Sequence, residues 1–527
     1  AGNGGREALQ FYALALFSRL PGQRLSFDSL KLLNVLEGVL TLPALYFMAK
    51  VVIGRERPTL GVIVGLALAA LVAVSYWHIT LSRLGERIIL TPLFVSLFII
   101  TFTRALRGNR IWDFILTGVV LGVGLYTYQV TRLLPVVVVL GVALALVFHW
   151  RQRPALRRLL LNTLILVLVS FTIFLPLFAY SMEYPGDFWR RTNGRLFGDD
   201  ILQTTDEAGN LISREPTLGE RLEAFGENVP QLTTNFVNAL LMYHWKGDIA
   251  WFQSASLKPA FDPISGALLA VGLGAWAFLM ARWRDPAVWL LPPMALILMF
   301  ASAFSIAYPN ENPSATRMSG TLPIVYLFAG LALGTLALGV ARLGRGGMGS
   351  KAAAALGAGV LIFGSGMANI NTYWTGYAPL FMVSSQAHSA GGAEMREFVE
   401  SGAGDFGNIF VIGYPYWWDH RALGIEAGRP DFPNGVPSRP ELATWLADGM
   451  QRTDRYRLDP NRDLLFLLAP EDVETAGWLA TLFPQGYGQM IQTYQPEESF
   501  QIFRVPAPGE AALTAAIEQM RLSTAVG

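Results

Sequence analysis

Four arginines, Arg83, Arg87, Arg132 and Arg317, lie at the edges of long apolar segments of this sequence. A guanidinium group is a planar fork of N–H donors that matches the oxygens of a phosphate. Charged groups near a membrane interior are costly, so they often mark functional sites. Any single arginine could instead contact lipid headgroups or extend from a helix end to water. All four occur on the same side of the predicted membrane segments. This arrangement predicts a binding site for the phosphate of a phosphate-linked donor of a transferred group.

Other polar side chains occur in the same segments and complete a candidate pocket. The residues assigned to it are Arg6, Glu7, His78, Tyr128, His244, Asp248, Glu311 and Asn312. A carboxylate beside a bound phosphate can act as a general base or hold a metal ion. His78 and His244 have acidic residues nearby, but their spacing matches no metal motif. A divalent metal therefore stays an open alternative, and no other cofactor is predicted.

The elements that position these residues are predicted to be membrane helices. The chain has 527 residues, 52% hydrophobic and only 15% charged, whereas soluble domains have roughly 25% charged residues. Ten apolar runs approach the ~20 residues that cross a hydrocarbon core. They are 30–53, 60–77, 88–104, 111–129, 132–149, 159–180, 263–281, 286–304, 319–341 and 352–370.

Composition also excludes several classes of function. The net charge is +1, and a nucleic-acid partner would require a basic stripe that this sequence lacks. Cysteine is absent, which excludes thiolate catalysis and Cys-ligated metal sites. No GxGxxG motif occurs in a βαβ setting, so no site for a nucleotide-linked donor is visible.

Basic residues are concentrated in alternate loops, and this pattern predicts the orientation of the chain. Loops rich in lysine and arginine face the cytoplasm in membrane proteins. Those loops include residues 50–57, 104–110, 151–158, 282–284 and 342–351. Loops 1–29 and 181–262, and everything after residue 370, should then lie outside. A further helix before Ala1, entering from the cytoplasm, would raise the number of spans to eleven.

The pattern changes after residue 370, where short β-type runs alternate with helical stretches. The runs are 408–413, 463–468, 489–494 and 500–505. Strands and helices that alternate in this way predict a small α/β domain. We therefore expect an all-α polytopic membrane domain over residues 1–370 and an extracytoplasmic α/β domain over residues 371–527.

Several sequence blocks resemble a known enzyme family. They are NGGREALQFYALALFSRLPG (3–22), WHITLSRLGER (77–87), GLYTYQVTR (124–132), YHWKGD (243–248), FDP (261–263) and ENPSATRMSGTLP (311–323). Together they resemble bacterial glycosyltransferases of the GT-C fold that use lipid-phosphate sugars, the protein O-mannosyltransferase and aminoarabinose transferase superfamily. The blocks cover about residues 3–330.

The resemblance implies a reaction and roles for individual residues. It implies inversion at a sugar carbon, with an aspartate of the first outer loop as base or acceptor-positioning group. That main aspartate is expected upstream of Ala1, and Glu7, which matches the acidic residue that follows it, is the catalytic residue predicted within this sequence. Ala8 and Leu9 replace the lysine-proline pair of the aminoarabinose enzymes. Arg83, Arg87 and Arg317 are implied as contacts to the donor phosphate, with Tyr128 and Arg132 shaping the pocket.

The leading hypothesis is a glycosyltransferase of the bacterial plasma membrane. It would move a sugar from a polyprenyl phosphate to a lipid, glycan or protein acceptor on the outer face, with membrane lipids around it. The carrier's tail would lie in the bilayer, and its phosphate would lie at the interface beside the arginines. Two alternatives stay open: a transporter or flippase of a lipid-linked saccharide, and a non-catalytic membrane scaffold subunit.

Overall fold

A computed structural model of the chain describes residues 7–198, 202–205, 211–344, 346–413, 418–493 and 498–525. They form two compact units. The first contains the described residues up to Leu14 together with Lys31–Leu380, and the second contains Ala15–Leu30 together with the described residues from Phe381 onward. Placement of a domain border at residue 370 stays a prediction.

The first unit is helical. Helix α1 (Leu9–Phe17) begins in this unit and ends in the second, and helix α2 (Phe27–Gly54) begins in the second and continues into this one. The helices that follow are α3 (Pro58–Ala73), α4 (Tyr76–Arg83), α5 (Leu90–Gly108), α6 (Ile111–Gly124), α7 (Leu134–His149), α8 (Arg153–Glu183), α9 (Pro185–Phe197), α10 (Leu218–Leu241), α11 (Pro263–Arg282), α12 (Pro286–Ala303), α13 (Leu322–Leu343), α14 (Met348–Asn371) and α15 (Ala378–Ser384). Two short strands, β1 (Leu202–Thr205) and β2 (Leu211–Arg214), pair antiparallel between α9 and α10.

Within the described residues, eight helical segments are long and apolar enough to cross a membrane, and a bent pair would make a ninth. The bent pair is α3 with α4, which meet at an angle of 62°. The predicted span at 111–129 corresponds to α6, a shorter apolar helix that ends at Gly124. All ten predicted spans therefore contain helix, and the chain is a multi-pass membrane protein.

The last predicted span is longer than the sequence pattern indicated. Helix α14 continues through a π-helical turn, Thr372–Tyr377, into α15, so the helical segment runs from Met348 to Ser384 rather than over 352–370. At 1.5 Å per residue, such a segment exceeds the ~30 Å hydrocarbon core. Helix α14 itself ends at Asn371, close to the predicted end of the span, and the helical segment continues beyond it through the π-helical turn.

Small residues let the membrane helices approach one another closely. Gly118 and Gly122 of α6 face α8, where an added Cβ would lie 2.7 Å from the Leu166 carbonyl oxygen and 2.8 Å from Ile173. Gly272 of α11 is closer still to α13, since its Cβ would lie 1.9 Å from the Phe328 carbonyl oxygen. Lipid tails supply no hydrophobic force between helices, so membrane helices depend on such close packing.

The second unit contains a sheet with helices on both faces. Its sheet has the order β4 (Gly435–Val436), β3 (Ile409–Ile412), β5 (Leu464–Leu468), β7 (Phe500–Val505), β6 (Tyr487–Ile491). Strands β4, β3 and β5 run parallel to one another, and β7 pairs antiparallel with both of its neighbours, β5 and β6. The helices are α16 (His388–Glu400), α17 (His420–Glu426), α18 (Leu442–Gln451), α19 (Val473–Leu482) and α20 (Glu510–Ala525).

The central strands of this sheet are buried on both sides. Phe410 and Phe466 belong to one core cluster, and Val411 and Leu467 belong to the other. Alternate side chains of a strand point to opposite faces, so an unbroken apolar run is typical of a strand covered on both faces. The predicted fold class, a helical membrane domain with a small C-terminal α/β domain, is confirmed.

Candidate functional site

A buried carboxylate with two arginines lies at the start of the membrane unit. Glu7 is only 4% exposed, and its two oxygens accept hydrogen bonds from different guanidinium groups. Arg87 donates from Nε at 2.9 Å, and Arg132 donates at 3.2 Å. Both arginines also lie over aromatic rings, Arg87 over Tyr128 at 5.3 Å and Arg132 over Phe188 at 4.3 Å. These cation–π contacts hold the two cations side by side.

Local backbone structure brings these groups together. A short 3₁₀ helix begins at Arg87 directly before α5, and another contains Arg132 directly before α7. The backbone N–H of Leu9 donates to the carbonyl oxygen of Tyr126 at 3.3 Å. The start of α1 is thereby fixed to the segment that carries Tyr128 and Arg132, which places Glu7 between the arginines.

A second cluster has the same composition, two arginines with one carboxylate. Arg195 of α9 and Arg317 both pair with Glu311, Arg195 at 3.0 Å. Arg317 also donates to the hydroxyl of Ser305. Partial burial alone would raise the pKa of Glu311, but Arg317 and Arg195 hold it below its usual value. Burial, followed by the like charge of Arg317, lowers the pKa of Arg195.

Helix α9 and Tyr128 lie beside residues of both clusters. Phe188, beneath Arg132, and Arg195 are seven residues apart in α9, so they share a face about 10 Å apart along the axis. Tyr128 lies beneath Arg87 and close to Arg195. Four arginines therefore share two carboxylates in one region of the unit, which leaves an excess of positive charge.

The segment that carries Arg317 is anchored by Asp248. This carboxylate is 1% exposed and accepts N–H bonds from Ala250 at 2.8 Å, Gln253 at 2.6 Å and Ala315 at 2.7 Å. Burial raises the pKa of Asp248 to about 6, although these three donors and the charge of Arg317 oppose the shift. Asp248 therefore acts as a structural clamp between loop 243–262 and the Arg317 segment.

An apolar cavity of 960 Å³ extends from the first cluster. It is lined by residues of α6, α7, α8 and α9, with Arg132 as its charged lining residue among those described. Aromatic and aliphatic side chains such as Phe174, Phe178 and Val139 form its walls. Such a cavity suits a long hydrocarbon chain whose polar end reaches the arginine.

The remaining predicted residues have individual environments. Arg83 is exposed and donates to the Tyr373 hydroxyl at 2.6 Å, so its closest partner is not a member of either cluster. Asn312 is buried beside the second cluster and donates to Ser302 at 3.0 Å. His244 bonds the carbonyl oxygen of Gly266 at 2.9 Å. Arg6 lies outside the described residues.

The histidines do not form a metal site in the described part of the chain. His78 is buried, with Nε2 3.2 Å from the Gly38 carbonyl oxygen and no described partner for Nδ1. No group of three or more His, Asp or Glu residues in the described ranges could hold a metal ion. Roles for all predicted site residues stay predictions.

Two features of this region were missed at the level of sequence. Arg195 lies in a loop expected to be poor in basic residues, and only its place in an amphipathic helix signals a partner. A buried polar group formed by Gln10, Asn34 and Glu37 was missed as well: the Gln10 amide donates to Asn34 at 2.9 Å and to Glu37 at 3.0 Å. Two of its members lie inside an apolar run, where periodicity gives no signal for them.

Comparison with known proteins identifies the fold. The chain resembles the crystal structure of ArnT from Cupriavidus metallidurans bound to undecaprenyl phosphate, with a TM-score of 0.51 and 12% identity over 95% of this chain and 88% of ArnT. The chain has the GT-C fold. Residues 8–180 also match the family model of dolichyl-phosphate-mannose-protein mannosyltransferases. The resemblance to GT-C glycosyltransferases that use lipid-phosphate sugars is thereby confirmed.

Two further GT-C structures resemble the chain less closely. Apo ArnT from the same organism has a TM-score of 0.48 and 13% identity, over 95% of this chain and 87% of ArnT. The archaeal oligosaccharyltransferase AglB from Archaeoglobus fulgidus has a TM-score of 0.46 and 13% identity, over 87% of this chain and 60% of AglB. No curated protein sequence matches the chain.

Proposed function

We propose that this GT-C protein transfers a sugar from a polyprenyl phosphate to a lipid, glycan or protein acceptor. The observation that carries the proposal is the position of Arg132. It pairs with Glu7 beside Arg87 and also lines the apolar cavity of 960 Å³. A carrier with its tail in that cavity would bring its phosphate to the two arginines. ArnT, which shares the fold, binds undecaprenyl phosphate.

The arginines would act on the leaving phosphate. An acceptor hydroxyl attacks the anomeric carbon, the bond from that carbon to the phosphate oxygen breaks, and the phosphate stays on the polyprenyl carrier. Inversion at the sugar carbon follows from a single displacement. Arg87, Arg132 and Arg317 would stabilise the negative charge that develops on the leaving oxygen, which is electrostatic catalysis in a site shielded from water.

Glu7 fits the role of a positioning group better than that of a base. Both of its oxygens accept hydrogen bonds from arginines, and a carboxylate so engaged has little affinity for the acceptor's proton. A second carboxylate would then take that proton. Glu7 keeps Arg87 and Arg132 together in the absence of a donor.

We assign the site to the extracytoplasmic face. Arg87 begins the helical segment that ends at Gly108, so Arg104 and Arg107 lie at the opposite end of that segment. Arg132 and Arg317 likewise precede the segments that begin at Gln129 and Ser319 or lie within their first turn. The positive-inside rule assigns the Arg104 end to the cytoplasm, and the site would therefore face outward.

A transfer assay in liposomes tests this function. The purified chain is supplied with polyprenyl phosphomannose labelled in the sugar, a donor of the class that the matched family model names. Label should move from the lipid to an acceptor or to water. Arg317→Ala should lower this rate by about a hundredfold or more, as removal of one charge-stabilising donor does elsewhere. Arg284→Ala, at the opposite basic end, is the matched control and should leave the rate unchanged.

Binding of the carrier supplies a measurement that is independent of the sugar. Undecaprenyl phosphate is titrated into the protein and counted by native mass spectrometry. Arg132→Gln should weaken this binding, whereas Arg284→Gln should not. If labelled lipid crosses the bilayer with its sugar still attached, the protein is a translocator and the transferase proposal fails.

A further inference from the structure

A second cavity lies at the basic ends of the membrane helices, opposite the site described above. Its volume is 900 Å³, and it is formed where α2 turns into α3 and where α5 turns into α6. Arg107 builds one wall, since its guanidinium group donates to Asp285 and to the Val52 carbonyl oxygen, both at 2.7 Å. This contact fixes the end of α5 against the end of α2 and gives the cavity a defined shape.

The charges of this cavity are not balanced. Five cations line it: Lys50, Arg55, Arg104, Arg107 and Arg110. Arg104 pairs with Asp113 at 3.0 Å, and Arg107 pairs with Asp285 at 2.7 Å. Lys50, Arg55 and Arg110 form no ion pair with any residue that the structure describes. Three of the five cations are therefore available to an anionic ligand.

The other walls of the cavity are apolar. Phe47, Val51 and Val62 line it, and Phe47 is exposed. These residues belong to α2 and α3, which are parts of the predicted membrane spans. A soluble anion would contact only the cations. An amphipathic anion would contact the cations with its headgroup and the apolar wall with its hydrocarbon part. The combination of apolar wall and basic rim is typical of phospholipid sites between membrane helices.

We propose that this cavity binds an anionic phospholipid of the adjacent leaflet, and that a headgroup with two phosphates binds more tightly than one with a single phosphate. Three unpaired cations exceed the charge of one phosphate diester, so a diphosphate headgroup matches them better. The acyl chains would lie against Phe47 and Val62. The site is separate from the proposed transfer chemistry and does not depend on it.

The competing explanation is a general excess of positive charge on this face, which the positive-inside rule produces without any specific site. The sequence offers a matched control for it. Arg153, Arg157 and Arg158 begin α8 on the same predicted face, are exposed and do not line the cavity. Removal of these three arginines changes the net charge as much as removal of Lys50, Arg55 and Arg110.

The test is a lipid titration of the purified full-length chain by native mass spectrometry. The probes are cardiolipin, phosphatidylglycerol, phosphatidylcholine and inorganic pyrophosphate. We expect cardiolipin to bind most tightly and phosphatidylcholine least. In the triple variant Lys50→Gln, Arg55→Gln, Arg110→Gln, cardiolipin affinity should fall about a hundredfold, since each basic residue near a membrane surface contributes about fivefold.

The control variant Arg153→Gln, Arg157→Gln, Arg158→Gln should lose less than about fivefold, because those residues lie outside the cavity. Equal losses in the two triple variants would show general surface charge and overturn the proposal. Pyrophosphate that binds as tightly as cardiolipin would also overturn it, in favour of a soluble ligand. If the triple variant does not fold, the single variants Lys50→Gln and Arg110→Gln replace it, each with an expected loss of about fivefold.

Discussion

Substitution of Asp248 by asparagine tests the clamp that holds the Arg317 segment. Burial raises the pKa of Asp248 from 3.8 to about 6. At about 1.4 kcal/mol per pH unit, this difference corresponds to about 3 kcal/mol. Because the pKa is higher in the folded protein, the stability linked to this carboxyl is fully present below about pH 4. It is lost as the pH rises through about 6, where the buried group ionises.

The variant Asp248→Asn cannot ionise, so its stability lacks this pH dependence. An amide offers one acceptor oxygen in place of two, and its NH₂ group leaves one of the three N–H donors without an acceptor. This costs about 1–3 kcal/mol at every pH. We therefore expect the variant to be the less stable protein at pH 4. Between pH 4 and pH 7 it should gain about 2.5 kcal/mol relative to wild type, because a small part of the change has already occurred at pH 4.

The measurement is the free energy of unfolding of both proteins in mixed micelles, titrated with denaturing detergent at pH 4, 5, 6 and 7. Groups that titrate in both proteins cancel in the difference. Gln253→Leu is the control: it removes a hydrogen bond that lowers the pKa of Asp248, so it should keep the pH dependence and move its midpoint upward. The account of Asp248 would be refuted if the difference in free energy of unfolding between wild type and Asp248→Asn did not change with pH, or if it changed in the opposite direction.

Two further predictions concern helix packing and the ion pair of Arg107 with Asp285. Gly272→Ala should prevent correct packing of α11 on α13, because its Cβ would lie 1.9 Å from a backbone oxygen of Phe328. A thermal unfolding midpoint equal to that of wild type would contradict this prediction. Arg107→Gln should destabilise the protein by about 3 kcal/mol, since it leaves Asp285, whose side chain is only 12% exposed, without its cation. The free energy of unfolding measures this, and Arg110→Gln, which breaks no ion pair in the described structure, should cost little.

The positions of the helices could be predicted because a membrane span needs a fixed number of apolar residues. Whether neighbouring arginines lie in the same site could not be predicted. Arg83 and Arg87 are four residues apart, which would place them on one face of a continuous helix. Helix α4 instead ends at Arg83, and Gly85 adopts a φ of +75°. The chain turns there, so Arg87 is buried against Glu7 while Arg83 stays exposed beside Tyr373.

The second arginine cluster shows a different limit of sequence reasoning. Glu311 and Arg317 are six residues apart, and their types alone indicated a shared pocket. Arg195 reaches Glu311 from a helix more than a hundred residues earlier, with Arg195 Nε 3.1 Å from the carboxylate. No local pattern encodes such a contact, because it depends on how α9 packs. Asp248 was likewise expected beside these residues. Its role as the acceptor of three N–H bonds could not be predicted, because it depends on the backbone positions of Ala250 and Ala315.

The ratio of arginines to carboxylates bears on which step of the proposed reaction the site favours. Glu7 balances one of its two arginines, and Glu311 balances one of its two, so the clusters together carry a surplus of about two positive charges. A polyprenyl phosphate joined to a sugar is a diester with a single negative charge, whereas the phosphate left after transfer carries nearly two. A surplus of two therefore attracts the departing phosphate more strongly than the intact donor. Binding that strengthens as the bond breaks lowers the barrier to sugar transfer rather than only holding the donor. The same surplus of positive charge would also retain the polyprenyl phosphate after the sugar has left.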